Sequence, residues 1–175
     1  MADGDHDWST YLGGGGTEVG LGVTIDNSGN IIVVGVTVST GWVSGGPDTT
    51  LDGPSDAFIA KFQPDGTHIW SSYLGGSNSE VARDVVVDSS GNILVIGETS
   101  SSGWISGGAD TSYGGSGDGF LLKLQSDGTH IWSTYIGGGN PDAGRGVTVD
   151  SSDNIIICGN IDTPGYLGGG FDTSH

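Results

Sequence analysis

DGTHIWSSYLG, residues 65–75, returns almost unchanged as DGTHIWSTYIG at residues 127–137, and a decayed copy, DGDHDWSTYLG, occupies residues 3–13. Trp8, Trp70 and Trp132 are therefore spaced by 62 residues each time, and Trp42, Trp104 and Tyr166 keep the same interval. A period of that length held without insertion or deletion is the mark of a repeat architecture, in which one supersecondary unit buries its apolar face only against its neighbours. Three units follow, at residues 3–64, 65–126 and 127–175, the last incomplete, and they share one continuous core as a single domain.

Each unit reads as four short strands. In residues 65–126 the first burst is 68–74, closed by Gly75-Gly76. The second, 83–87, sets Val85 and Val87 on one face against Asp84 and Val86 on the other, the alternation of a half-buried strand. Asp88-Ser89-Ser90-Gly91-Asn92 then supplies hairpin chemistry: a glycine for positive φ, and Asp and Asn to bond the local backbone. The turn recurs at 26–30 and, with Asp153 in place of glycine, at 150–154. The third burst, 93–96, is apolar on both faces in every copy, as expected of a strand held between two layers. This places Cys158, which aligns with Val34 and Ile96, in the core as a small hydrophobe. The fourth, 118–124, has its earlier copy at 56–62.

Composition agrees. Thirty-six glycines, only 14% charged residues and runs of Val and Ile oppose helices and favour an all-β fold. A four-stranded antiparallel unit with a doubly buried inner strand describes a β-propeller blade, about three per chain, better than a sandwich or a β-helix, whose rungs are roughly 20 residues or fewer.

The stretches DAFIAKFQPDGTHIWSSYLGG (56–76), VVVDSSGNILVIGETS (85–100) and DGFLLKLQSDGTHIWSTYIGG (118–138) resemble the SBBP family of bacterial β-propeller repeats. The resemblance covers the whole chain. It implies that residues 83–96 lie nearer the central axis and 68–74 outermost, and it implies a secreted or surface-exposed bacterial protein. It supplies no catalytic residues.

The net charge of −17, from 21 carboxylates against four basic residues, disfavours nucleic acid and anionic membrane surfaces as partners. No run approaches the roughly 20 apolar residues of a membrane span, and the start, MADGDHD, is not a secretory signal. The expected setting is extracellular or cell-surface.

The departure from a minimal blade is the long Gly-rich segment 100–117 and its copies, where an aromatic residue is followed six positions later by an aspartate: Trp42 and Asp48, Trp104 and Asp110, Tyr166 and Asp172. One reading is a carbohydrate site per blade, the ring against a pyranose and the carboxylate accepting hydroxyls. The other, which the energetics favour, buries the ring between blades and uses the aspartate to close a turn, since a buried aromatic gains roughly 2–3 kcal/mol.

His6, His68 and His130 recur but lie on equivalent strands too far apart to share an ion, so they read as strand residues. No metal site and no cofactor are expected; the Asp-rich turns lack the distal Glu of an EF-hand, so calcium is unsupported. With no nucleophile elbow, Walker loop or HExxH, the chain is not read as an enzyme. The expected function is a non-enzymatic scaffold or adhesion module, with lectin-like binding as the alternative and a glycan or surface protein as ligand. Since three units are too few to surround an axis, the chain is expected to self-associate, most simply as two copies in a six-bladed ring, unless it belongs to a longer array.

Overall fold

In the computed structural model, which describes residues 6–164, the chain forms ten strands. They are β1 (Glu18–Ile25), β2 (Ile31–Thr37), β3 (Asp56–Phe62), β4 (His68–Leu74), β5 (Glu80–Val87), β6 (Ile93–Thr99), β7 (Asp118–Leu124), β8 (His130–Ile136), β9 (Ala143–Val149) and β10 (Ile155–Asn160). All pair antiparallel with their sequence neighbours, giving two four-stranded meanders, β1 to β4 and β5 to β8, and a two-stranded hairpin, β9 and β10. Among the described residues no helix is long and apolar enough to cross a membrane.

The sheets are offset by one strand from the sequence unit. The recurring WSSYLG strand β4 does not start a sheet; it closes the one begun at Glu18, as the outermost strand. Strands β1, β5 and β9 pack on one another from sheet to sheet, so the Asp-turn hairpins form the inner side of the array. Their turns also chain together. Asn27 Nδ2 donates to the Ser89 carbonyl at 3.2 Å, and Ser89 N donates to Asp153 Oδ1 at 2.9 Å. Asp153 adopts a left-handed φ of 60° where Gly29 and Gly91 take 84° and 83° at the same turn position, an accommodation Asp makes more readily than most residues.

Two apolar seams hold the sheets together. The first joins Ile32, Val34 and Ile59 of sheet one to Val85, Val95 and Phe120 of sheet two. The second joins Leu94, Ile96 and Leu121 of sheet two to Val147 of the hairpin. The middle sheet is thus covered on both faces, and β6 is buried at Ile93, Leu94, Val95 and Ile96.

The doubly buried third strand holds for β6 and fails for β10, where Ile156, Ile157 and Cys158 are exposed. Cys158 is therefore not a core residue. Among the described residues β10 pairs only with β9 and carries no sheet on its far face, so the apolar pattern that buries Ile96 leaves its counterpart in solvent. The decayed copy at the start forms no strand over residues 6–13, yet keeps one contact. Trp8 Nε1 donates to the Pro64 carbonyl at 2.9 Å over Gly66, as Trp70 Nε1 donates to the Ser126 carbonyl at 3.3 Å over Gly128.

Candidate functional site

The long Gly-rich segment of each four-stranded sheet lies along that sheet's own outer edge. Ser71 N donates to the Ser44 carbonyl at 2.8 Å and Tyr73 N to the Asp48 carbonyl at 3.0 Å. In the second sheet Ser133 N reaches the Ser106 carbonyl at 2.7 Å and Tyr135 N the Asp110 carbonyl at 2.8 Å. Side chains reinforce the clamp: Ser72 Oγ accepts from Asp48 N, and the Tyr73 hydroxyl donates to the Ser39 carbonyl at 2.6 Å. A free edge strand is a template for pairing with another chain, and here the loop occupies it.

Within that loop Trp42 and Trp104 act as pegs. The Trp104 indole N–H donates to Thr99 Oγ1 at 3.0 Å, and the same hydroxyl donates to Glu80 Oε1 at 2.7 Å. Trp42, Thr37 and Glu18 repeat the relay at 3.1 and 2.8 Å. Trp104 meets Phe120 edge to face at 5.1 Å and packs against the first seam; Trp42 meets Phe58 in the same way. Asp48 and Asp110 turn their carboxylates inward on the loop, accepting from Thr50 N and Ser112 N at 2.9 Å. Tyr166 and Asp172 lie outside the described residues.

Residues of consecutive units share a hollow: Asp48 and Tyr73 of sheet one and Trp104, Leu122 and His130 of sheet two line a space of about 140 Å³ at the outer end of the first seam. His68 and His130 each contact the serine three positions on, at 3.0 and 3.1 Å. No three His, Cys, Asp or Glu side chains among the described residues come together as a metal site.

Residues not singled out from the sequence form a second constellation, a line of carboxyls. Strand register places Glu18, Thr37 and Asp56 side by side across sheet one, and Glu80, Thr99 and Asp118 across sheet two. Asp142 continues the line just ahead of β9. Asp56, Glu80, Asp118 and Asp142 are all at most 4% exposed. Glu80 Oε2 accepts Gly76 N at 2.9 Å, closing the Gly75-Gly76 turn, and Asp142 Oδ2 accepts Gly138 N at 2.7 Å. Burial pushes the Asp56 carboxyl up to about 6, against the pull of the Asp52 and Gly53 N–H groups, with the Glu80 charge adding to the rise. Asp118 is raised for the same first reason, with Asp142 as its neighbour across the seam. The signal for this line was present in the sequence, since Glu18 with Glu80 and Asp56 with Asp118 keep the repeat interval.

At the inner turns the balance reverses. Burial raises Asp26, but bonds from Asn30, Lys61 and Ser28 outweigh it and hold the carboxyl at about 2. Lys61 Nζ lies 2.9 Å from Asp26 Oδ2, and Lys123 Nζ lies 2.8 Å from Asp88 Oδ2. Arg83 and Arg145, projected from the bulges of β5 and β9, converge on Glu98. All four basic residues are thus spent on inner ion pairs.

This geometry stacks sheets whose outer edges, β4 and β8, are covered by their own loops. An uncharacterised WD repeat-containing protein of Acanthamoeba polyphaga mimivirus is 23% identical over 158 residues, an alignment covering 78% of this chain and 11% of that protein. The chain thus spans about a tenth of that relative's length. Residues 69–103 and 131–165 match the family model of the SBBP beta-propeller repeat, and each match runs from an outer strand through the inner hairpin of the next sheet. The chain thus matches the SBBP beta-propeller repeat at two positions one repeat interval apart.

Proposed function

We propose that this chain is a non-enzymatic, extracellular β-propeller scaffold whose two open sheet faces are covered by further sheets of the same kind, most simply those of a second copy. One observation carries the reading. Val23 and Ile25 of β1 are 66% and 65% exposed, whereas Val85, the counterpart of Val23 in β5, is 4% exposed in the first seam. At the other end Ile156 faces solvent, whereas its counterpart Leu94 is buried. The open face of sheet one is the kind that sheet two presents to its predecessor, and the open face of the hairpin is the kind that sheet two presents to its successor. Head-to-tail contact of two copies would reproduce the seam already built twice within the chain, and a head-to-tail contact either closes a ring or propagates. The anionic exterior supports an extracellular setting through solubility.

The test is mass in solution by sedimentation. A dimer at micromolar concentration that Ile25→Lys converts to monomer supports the assembly. A stable, well-folded wild-type monomer across that range overturns it.

A carbohydrate-binding role is a second reading, favoured by the shared hollow of Asp48 and Trp104. A glycan array decides it. Binding that Asp48→Asn abolishes and Trp70→Leu spares supports a lectin, and no bound glycan ends that reading.

A further inference from the structure

The line of carboxyls crosses both seams at the places where consecutive sheets are tied by backbone. Glu80 N donates to the Ser55 carbonyl at 3.0 Å, and Asp142 N donates to the Gly117 carbonyl at 2.9 Å. These are equivalent bonds one repeat apart. Asp56 and Asp118 each follow directly on the accepting residue, with a buried acid facing them from the next sheet. Any change in their charge is felt at the tie itself.

Among the described residues no cation offsets them. Asp56 faces Asp52 on its own loop and Glu80 across the seam, and Tyr73 of β4 stands within the field of Asp56 and Glu18. Asp118 faces Asp110 of its loop and Asp142 across the seam, with Tyr135 of β8 beside it and Tyr113 and Glu80 close to that tyrosine. Lys61 and Lys123 sit on the same strands as the two aspartates but pair with Asp26 and Asp88 at the inner turns, and both arginines pair with Glu98. Asp56 places both carboxyl oxygens on backbone N–H groups, of Asp52 and Gly53, while Asp118 Oδ1 is buried with no hydrogen-bond partner among the described residues. Two buried carboxylates facing each other without a cation cannot both ionise cheaply, so a proton is the available counter-charge.

We propose that Asp56 and Asp118 form a proton-operated latch between consecutive sheets, closed while each aspartate carries a proton and loosened when it ionises. The latch makes the array firmest in mildly acidic solution. A carboxyl raised in the folded chain binds its proton there more tightly than in the unfolded chain, so its stabilising effect is full below the unfolded value of 3.8 and lost as pH rises through about 6 for Asp56. The inner-turn carboxylates, Asp26 and Asp88, act oppositely, but only below their ordinary value, so the window from pH 5 to 7.5 isolates the latch.

The full chain is unfolded in urea from pH 5 to 7.5 alongside Asp56→Asn/Asp118→Asn, whose amides keep the shape of the protonated acids without a charge. The wild-type folding constant should fall by about tenfold from Asp56 alone across this window, with Asp118 adding to it, and the variant should lose that slope. The histidines are common to both proteins and cancel in the difference. Amide exchange reads the latch directly, since protection at Glu80 and Asp142 should drop with rising pH in the wild type only. Wild-type stability that is flat or rises over the window, or a variant that keeps the wild-type slope, overturns the proposal. If the variant does not fold, carbon NMR of the wild-type aspartate carboxyls decides: an Asp56 midpoint near 6 upholds the latch, and one at or below 3.8 sinks it.

Discussion

Strands β6 and β10 carry nearly interchangeable sequences, ILVIGET and IIICGN, and meet opposite fates. Leu94, Val95 and Ile96 are 0% exposed, whereas Ile156 is 53% and Ile157 42% exposed. Neither strand's own propensity explains the difference. β6 pairs on both edges and has a sheet on either face, while among the described residues β10 pairs on one edge and has sheet two on one face only. Burial in an array of this kind belongs to the seam, and a strand acquires it only when both neighbours are in place.

The largest expected effect sets those strands against each other in monomeric chain. Leu94→Ala should cost about 2–5 kcal/mol in urea unfolding, because it opens a cavity in the second seam, while Ile156→Ala should cost under about 1 kcal/mol. Equal costs would mean that β10 is covered in the free chain.

A smaller effect separates the copies of the repeated phrase. Tyr73→Phe removes the hydroxyl that bonds the Ser39 carbonyl and should cost about 1–2 kcal/mol. Tyr11, at the same place in the decayed copy, is fully exposed, and Tyr11→Phe should leave the unfolding midpoint unchanged.

The gentlest probe is chemical. Cys158 should react with a thiol reagent in folded monomer as readily as in unfolded chain, without altering stability, while a cysteine placed by Ile96→Cys should stay protected until unfolding. Protection of Cys158 that grows with protein concentration would sharpen the comparison into a measure of assembly.

The candidate site was legible in part. The pairing of Trp104 with Asp110 rested on closeness in sequence, and the structure adds a hollow that Trp104 lines together with Asp48 of the preceding unit. That hollow crosses a repeat boundary, and spacing within one unit carries no information about it. The covering of β4 by its own loop was equally hidden, since Ser44 and Asp48 contribute backbone carbonyls, which any residue type supplies. The buried acids recur at the repeat interval, but so do exposed acids such as Asp65 and Asp127, and only burial distinguishes the two sets.

The sequence by itself determined the repeat, its strands and its turns, because alternation, glycine and aspartate chemistry act over a few residues and return at every copy. Only the tertiary structure decided which strand closes which sheet, which apolar faces are covered and which carboxyls lose their water. Those outcomes depend on what lies across a seam, and the physical reason is the same for all three: desolvation is a property of the neighbour as much as of the residue.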